Sequence, residues 1–368
     1  MTVREARLSE VLNPLISRLM SGRDLTADES ELAHGLLMSS DDTGLYWLAF
    51  SSLLHAKGET TDELEGICRA VGVYLDTRRD VIADLDTSGS GRRPYSTLNV
   101  GTAVAFVSAA AGLRVAKQAS GAVTGTLGSS DLMQAVGVNL SWPRDELMIR
   151  RALDECRVAV VQNFLLSGRQ STRATYLKMI REAGMRIASS FHLVGNVEQV
   201  VRTRHRVLGC FDEGAHAKLV PLLLRRHERF AVVSGFDGLD EVSLCGASRV
   251  TFNVGDGVSD IVIDPSNVGC GVSDVDAVIS EGRAEKLRDF VRVLGGAEGG
   301  PKRELVVVNA AVALWVGDVE PSLSAAAENA RRRLDERSAW EGFVKFVEMC
   351  GRREQLRDIC EHSGVSSG

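Results

Sequence analysis

Between Asp86 and Thr102 the chain reads Asp-Thr-Ser-Gly-Ser-Gly-Arg-Arg-Pro-Tyr-Ser-Thr-Leu-Asn-Val-Gly-Thr. The apolar run before it, Val81–Leu85, predicts a strand, and the Ala/Val-rich run after it, 102–112, predicts a buried helix. Residues 88–99, called loop one below, join the two. A small-residue turn of this kind leaves backbone N–H groups close to a ligand, which is how many proteins hold phosphate. An ordinary glycine turn has the same pattern, so the rest of the chain must decide between the two interpretations.

Downstream of loop one, strand and helix patterns alternate. A second strand is predicted at 113–117, and a second small-residue loop, 118–130, leads into a helix at 131–136. Further strands are predicted at 157–161, 207–211, 230–233 and 241–244, with a hairpin over 249–263. The pattern predicts an α/β fold with a central, mostly parallel sheet flanked by helices, in which ligands bind beyond the carboxyl ends of the strands.

The N-terminal part of the chain has helical patterns throughout. Thr26 and Glu29 have the spacing of a capping box, and residues 60–63 open a fourth helix. The apolar faces left over in such a bundle are expected to meet a partner chain or the next domain. We expect a helical domain at 1–78 joined by a helical segment near 170–195, an α/β domain at 79–362, and a disordered tail at 363–368.

The composition narrows the class of function. Of the 368 residues 44% are apolar and 25% charged, and the formal net charge of −6 disfavours non-specific binding to nucleic acid. No apolar run approaches the roughly 20 residues that span a bilayer, and the N-terminus has no apolar signal core. The seven cysteines are dispersed without a Cys-x-x-Cys pair, which favours reduced thiols and a cytoplasmic location.

Several side chains near the two small-residue loops are candidate phosphate ligands. Lys117 ends the second predicted strand, where its ammonium can reach a phosphate held by loop one; alternatively it is a surface lysine with a buried stem. Asn99 and Thr102 lie in the first helical turn, where they either face an anion or cap the helix. Arg92 and Arg93 either clamp a phosphate by forked hydrogen bonds or lie in solvent.

An acidic pair follows a strand and a glycine-rich turn later in the chain. The segment reads Gly235-Phe-Asp-Gly-Leu-Asp-Glu241, and Asp240 with Glu241 can hold magnesium through oxygen ligands. A solvated pair on a turn is the alternative interpretation. The seven histidines show no ligand spacing and adjoin no nucleophile motif, so we predict no covalent mechanism and assign no catalytic side chain.

Together these segments resemble the anthranilate phosphoribosyltransferases and their relatives among the nucleoside phosphorylases, over about residues 5–350. The family's D-x-x-G-T-G-G-D and T-F-N-x-S-T are similar to residues 86–93 and 97–102, and its H-G-x-D-G-L-D-E to Ser234–Glu241. Its remaining motifs, G-E-T-x-E-E, V-A-K-H-G-N, S-G-x-A-D and L-L-N-A-A-x-A-L, are similar to Gly58–Glu63, Val115–Ser120, Leu127–Asp131 and Val307–Leu314.

The resemblance implies a small helical domain and a large α/β domain with the site in the cleft between them, and a homodimer through the N-terminal helices. It implies phosphoribosyl pyrophosphate as the donor, with Mg²⁺ held by Asp240 and Glu241. The residues it places at the donor are Gly89, Ser90, Gly91, Asn99, Thr102 and Lys117, and we predict that Arg92, Arg93 and Ser129 also bind the donor.

The chain also departs from the family pattern. In loop one, Arg93 stands where the family has an acid, Arg92 breaks a glycine pair, and Gly101 replaces a serine. The family arginine that pairs with the anthranilate carboxylate corresponds to Ile180, and Arg181 lies about 100° further round the helix. The acceptor pocket is accordingly predicted from Gln118, Ser120, Ile180 and Arg181.

We therefore predict a phosphoribosyltransferase that acts on an aromatic or heterocyclic acceptor other than anthranilate, in a specialised pathway, and releases pyrophosphate. The alternatives are an anthranilate phosphoribosyltransferase with a variant pocket, and a non-catalytic paralogue that binds a ligand or nucleic acid. A nucleoside phosphorylase is disfavoured, because those chains usually carry an additional C-terminal domain.

Overall fold

The structure is a computed structural model of the chain. It describes residues 3–39, 44–74, 78–90, 94–119, 127–140, 146–162, 190–194, 197–211 and 213–366. The chain forms two compact units, the first comprising Met1–Thr77 and Asn163–Val200 and the second comprising Arg78–Gln162 and Val201–Gly368.

The first unit is helical in its described residues. Its helices are α1 (Val3–Met20), α2 (Ala27–Ser39), α3 (Gly44–Lys57) and α4 (Thr61–Tyr74), with a short helical turn at Phe191–Val194. The predicted capping box at the start of α2 is confirmed: the Thr26 N–H donates to Glu29 at 2.8 Å, and the Glu29 N–H donates to the Thr26 hydroxyl at 3.2 Å.

A buried carboxylate, Glu63, closes the start of α4. Its Oε2 accepts from the Thr60 N–H at 2.8 Å and from the Lys57 ammonium at 2.9 Å, and its Oε1 accepts from the Leu25 N–H at 2.8 Å. Glu63 therefore caps one helix and ties its first turn to the segment that precedes α2.

His34 lies in the apolar core of this unit. Its ring meets Phe50 edge-on with centroids 5.2 Å apart, and its Nδ1–H donates to the Ser30 carbonyl at 2.7 Å. Desolvation lowers the pKa of His34 to about 4, so the ring is neutral at pH 7.

The second unit is built on a seven-stranded sheet. The strands are β1 (Arg78–Gly89), β2 (Val115–Ala119), β3 (Val158–Gln162), β4 (Val201–Gly209), β5 (Arg229–Gly235), β6 (Ser248–Asn253) and β7 (Val258–Ile263). Their order is β3-β2-β1-β4-β5-β6-β7, and every pairing from β3 to β5 is parallel, whereas β6 and β7 add antiparallel. The predicted α/β class with a mostly parallel sheet is confirmed.

Helices cover this sheet and form the largest part of the buried core. They are α5 (Val100–Ala110), α6 (Ser129–Ala135), α7 (Glu146–Glu155), α8 (Glu213–Leu224), α9 (Gly282–Leu294), α10 (Pro301–Val316), α11 (Leu323–Asp335), α12 (Ser338–Cys350) and α13 (Arg353–Ser363). The Ala/Val-rich helices α5 and α10 pack against each other and are buried over nearly their whole length, because small side chains allow close approach. Phe106 of α5 meets Phe343 of α12 edge-on at 5.0 Å.

One sequence prediction about this unit is wrong. Residues 241–244, predicted as a strand, form a loop between β5 and β6. At the C-terminus α13 ends at Ser363, and Val365 is buried in contact with Gly295. The disordered tail at 363–368 stays a prediction. Among the described residues, no helix combines the length and apolar character that crossing a membrane requires.

Candidate active site

The carboxyl ends of β1, β4 and β5 lie side by side, and two glycines there allow Asp240 to approach very closely. Gly89, the last residue of β1, is in register with Gly209, the last residue of β4. A Cβ on Gly89 would lie 2.5 Å from Asp240 Oδ2, and a Cβ on Gly209 would lie 1.7 Å from the Asp240 carbonyl oxygen. A side chain at Gly89 would displace the Asp240 carboxylate, and a side chain at Gly209 would displace the backbone that carries it.

Loop one contacts both acids of the pair directly. The Ser90 hydroxyl donates to Asp240 Oδ2 at 3.0 Å, and the Thr97 hydroxyl donates to Glu241 Oε2 at 3.3 Å. Asp240 is 1% and Glu241 8% exposed, so neither is the solvated turn residue of the alternative interpretation. The geometry thus brings the predicted metal ligands together with the predicted phosphate loop.

Asn309 of α10 fixes the backbone just beyond the acids. Its side-chain oxygen accepts from the Val242 N–H at 2.8 Å, and its amide donates to the Val242 carbonyl at 2.9 Å. The same amide donates to the Leu305 carbonyl at 2.9 Å. A buried side chain here replaces the strand partner that Val242 would otherwise need.

Residues 235–241, which carry the two acids, form the acidic turn. A cluster of hydroxyl groups binds this turn at Asp237. Asp237 Oδ2 accepts from the Tyr95 hydroxyl at 2.6 Å and from the Ser243 hydroxyl at 2.5 Å. Burial, together with the hydrogen bond to Asp237, raises the pKa of Tyr95 well above its ordinary value. Tyr95 is therefore a protonated hydrogen-bond donor at neutral pH.

Lys117 is buried in β2, not at the mouth of a loop. Its ammonium donates to the Thr87 carbonyl at 2.5 Å and to the Gln118 carbonyl at 3.2 Å, and the residue is 4% exposed. Desolvation lowers its pKa, and the carboxylate of Asp86 opposes that shift. The structure excludes the surface-lysine alternative. Direct contact between Lys117 and a phosphate stays a prediction.

A buried ion pair lies behind loop one. Asp86 of β1 pairs with Arg206 of β4, the residue in register with it, and both side chains are fully buried. Arg206 also donates to the Ser88 hydroxyl at 2.8 Å. Because the pair links β1 to β4 immediately before their glycine ends, it fixes the strand ends from which loop one departs.

The start of α5 connects loop one to the second small-residue loop. Asn99 lies at the N-cap of α5, and its amide donates to the Leu127 carbonyl at 3.1 Å. Its side-chain oxygen is buried and has no hydrogen-bond partner among the described residues, so it is an acceptor in need of a donor. Thr102 is buried in the first turn of α5, and Ser129 begins α6.

Several predicted site residues lie outside the described residues. These are Gly91, Arg92 and Arg93 of loop one, and Ser120, Ile180 and Arg181 of the predicted acceptor pocket. Gln118 is the one acceptor candidate that is described; it is buried in β2, and its N–H donates to Asp86 at 3.3 Å. The assignment of these positions stays a prediction.

Sequence reasoning missed Tyr95, Arg206 and Asn309 as parts of this site. Asn309 lies in the segment Val307–Leu314, which resembles a family motif, so the sequence indicated that this residue has a role but did not show what it binds. Arg206 ends the run Arg-Thr-Arg-His-Arg, in which nothing local distinguishes the buried arginine from the exposed ones. Tyr95 had no signal at all.

The acidic pair fits a magnesium ion chemically. Within the described residues no group of three or more His, Cys, Asp or Glu side chains is suited to hold a metal alone. Mg²⁺ usually takes one or two protein carboxylates and completes its shell with water and substrate phosphates. Two adjacent buried carboxylates, both in contact with a phosphate-type loop, meet that description.

Comparison with known proteins defines the class. Residues 82–340 match the family described as "Glycosyl transferase family, a/b domain", so the protein is a glycosyltransferase. The chain is 34% identical to the anthranilate phosphoribosyltransferase of Myxococcus xanthus, over 93% of this chain and 98% of that one. It is 32% identical to that of Desulforudis audaxviator, over 93% and 97% of the two chains.

These identities place the chain in the anthranilate phosphoribosyltransferase family of pentosyltransferases, as the motifs predicted. Solved structures agree in fold. The Thermus thermophilus enzyme superposes with a TM-score of 0.79 at 26% identity, covering 91% of this chain and 98% of that one. The Saccharomyces cerevisiae enzyme, in complex with PRPP and Mg, superposes with a TM-score of 0.80 at 20% identity, covering 92% and 97%.

Proposed function

We propose that this protein transfers the 5-phosphoribosyl group from phosphoribosyl pyrophosphate to anthranilate and releases pyrophosphate. The observation that carries the proposal is the meeting of loop one with the acidic turn, through Ser90 on Asp240 at 3.0 Å and Thr97 on Glu241 at 3.3 Å. A phosphate-type loop beside two buried carboxylates suits a metal–diphosphate group.

Anthranilate as the acceptor replaces the prediction made from sequence alone. That prediction rested on Ile180, which stands where the family has the arginine that pairs with the anthranilate carboxylate, while Asp240, Glu241 and Lys117 are retained. The relatives at 34% and 32% identity are both anthranilate phosphoribosyltransferases, which supports the variant-pocket alternative. Nothing in the described residues favours a different acceptor.

In the proposed reaction the anomeric carbon loses its bond to pyrophosphate and gains a bond to the anthranilate amine, which then releases a proton. The neutral amine is itself nucleophilic, so no general base has to activate it. Backbone N–H groups at the start of α5 and the hydroxyl of Ser90 would orient the phosphates. The buried ammonium of Lys117 would add a positive field beneath loop one.

Asp240 and Glu241 would hold the magnesium ion, which when bound offsets the negative charge of the leaving pyrophosphate. Asn309 would hold the backbone next to these carboxylates, and the Asp86–Arg206 pair would hold the neighbouring ends of β1 and β4. Most of the rate enhancement would then come from holding donor and acceptor in line.

A fluorescence assay tests the acceptor, since conversion of anthranilate to its ribosylated product can be followed continuously with donor and Mg²⁺ present. We expect steady turnover with anthranilate. Turnover with another aromatic amine in a parallel panel, and none with anthranilate, would overturn the acceptor assignment. Calorimetry with donor and Mg²⁺ is the second arm, and absence of donor binding would favour the non-catalytic paralogue and overturn the whole proposal.

We also propose a cytoplasmic homodimer that associates through its N-terminal helices. Three large apolar side chains of those helices are mostly exposed: Met20 at 70%, Leu32 at 52% and Leu45 at 78%. The seven cysteines are all free thiols, in keeping with a reducing compartment. Light scattering should give twice the mass of the 39.7 kDa chain, and Leu45→Glu should shift it toward one chain. A wild-type monomer would contradict this proposal.

A further inference from the structure

We propose that Tyr95 is a positioning residue: through Asp237 it holds the acidic turn against loop one, and so sets the affinity of Asp240 and Glu241 for the magnesium–diphosphate end of the donor. The inference rests on the proposed function and deepens it. It assigns a role to a residue that has no part in binding phosphate itself.

The first step is the contact. The Tyr95 hydroxyl donates to Asp237 Oδ2 at 2.6 Å, and Ser243 donates to the same oxygen at 2.5 Å. Tyr95 belongs to loop one, whereas Asp237 and Ser243 flank the acids on the other side of the site. One hydroxyl therefore bridges two segments that lie 142 positions apart in the chain.

The second step is that Asp237 is rigidly connected to Asp240. The turn is closed by the Gly235 N–H donating to the Leu239 carbonyl at 2.8 Å and by the Gly238 N–H donating to the Gly235 carbonyl at 2.9 Å. Asp237 Oδ1 accepts from the Leu239 N–H at 3.1 Å. A displacement of the Asp237 carboxylate is thus transmitted through the turn to Asp240.

The third step is that loop one also packs against the acidic turn beside Tyr95, in addition to the contacts that Ser90 and Thr97 make with the two acids. Gly238 has φ +86°, and the position its Cβ would occupy lies 3.4 Å from Pro94 Cγ. Pro94 immediately precedes Tyr95, so loop one packs on the turn and hydrogen-bonds to it at adjacent residues. Packing brings the segments together, and the directional bond from Tyr95 fixes their register.

The test uses Tyr95→Phe, which removes one oxygen and keeps the ring. We expect donor binding, measured by calorimetry with inorganic pyrophosphate and with the donor, to require a roughly tenfold higher Mg²⁺ concentration. The KM for the donor should rise by a similar factor while the KM for anthranilate is unchanged. Asp237→Asn should produce a similar loss, and the double variant should lose no more than the larger single effect.

The matched control is Tyr46→Phe on α3, which should alter neither the Mg²⁺ requirement nor either KM. Wild-type affinity in Tyr95→Phe would overturn the inference. So would additive losses in the double variant, or equal losses for donor and anthranilate with a lowered melting temperature, since those describe a merely structural role. If the wild type itself fails to bind donor with Mg²⁺, the proposed function fails first, which separates the two conclusions.

Discussion

Two buried carboxylate sites in this chain use their charge differently. In the helical unit, Glu63 accepts from two backbone N–H groups and from the Lys57 ammonium at 2.9 Å. At the sheet edge, Asp240 and Glu241 meet the hydroxyls of Ser90 and Thr97. A hydroxyl satisfies a lone pair but brings no positive charge, whereas an ammonium brings both.

The difference separates a carboxylate that stabilises the fold from a pair suited to bind a cation. Glu63 is matched with a cation inside its own unit, so its contribution is to stability. The hydroxyl contacts orient the Asp240 and Glu241 carboxylates, and two adjacent carboxylates are a ligand set that Mg²⁺ accepts. Substitutions at the two sites should therefore affect different measurements.

The largest effect is expected for Asp240→Asn, which keeps the shape and removes the charge. We expect kcat/KM for the donor to fall by on the order of 10²-fold or more, with thermal unfolding nearly unchanged. Asp256→Asn, at an exposed acid between β6 and β7, is the control and should behave as wild type. Near-wild-type activity of Asp240→Asn would remove Asp240 from the metal site.

Glu63→Ala should have the opposite character. It leaves the N–H groups of Leu25 and Thr60 without their acceptor, whereas the Lys57 ammonium keeps Asp24 and the Gly58 carbonyl. We expect the free energy of unfolding in urea to fall by about 3 kcal/mol. At a temperature where the variant is folded, kcat/KM for the donor should stay within about twofold of wild type, since loop one and the acidic turn lie in the other unit. Asp62→Ala, at the exposed neighbour on α4, should cost under about 1 kcal/mol. Loss of activity without loss of stability would contradict the comparison.

Two glycines near loop one should respond unequally to the same substitution. At Gly89 an added Cβ would lie 2.5 Å from Asp240, whereas at Gly101 the nearest atoms are 3.8 Å and 4.0 Å away. Gly89→Ala should weaken donor binding by calorimetry about 10- to 100-fold, because overpacking costs roughly 1–3 kcal/mol. Gly101→Ala, within α5, should bind donor normally and gain a few tenths of a kcal/mol in stability. Equal effects at both positions would contradict the close approach of the acidic turn.

The last effect concerns pH and the helical unit, and it is absent at neutral pH. Desolvation lowers the pKa of His34 from its ordinary 6.5 to about 4, so the unfolded chain binds more protons between those values. Stability should therefore be complete above pH 6.5 and decline as pH falls toward 4, by up to about 1.4 kcal/mol per pH unit from this residue. In urea unfolding at several pH values, His34→Asn should reduce the dependence of the unfolding free energy on pH by the equivalent of up to one bound proton. His362→Asn, at an exposed position, should leave it unchanged; a slope unaltered by the His34 change would refute the assignment.

Local patterns predicted most of the fold but could not supply what depends on strand order. Alternating strands and helices and the capping box at Thr26 were all visible in the sequence. The strand predicted at 241–244 was wrong because Val242 and Leu244 are apolar and buried, yet the polar backbone of Val242 is satisfied by Asn309. A buried apolar segment outside a β-sheet has the same sequence pattern as a buried strand within one.

The site was predicted in part for the same reason. Glycines, acids and the lysine carry motif signals, so their convergence could be proposed from the chain alone. Arg206 is buried because β1 and β4 are neighbours and Asp86 is in register with it, although 120 positions separate the two. Likewise, Lys117 was predicted at the end of a strand because the sequence does not show that β2 continues to Ala119 and is buried throughout.

The opposed glycines 89 and 209 constrain how this site can evolve. Gly89 lies against the carboxylate of Asp240 and Gly209 against its carbonyl. A side chain at either position would therefore displace Asp240 from its present place. A lineage that abandons the metal is released from both constraints at once. Paired side chains at these two positions would therefore mark such descendants even while their aspartate and glutamate persist.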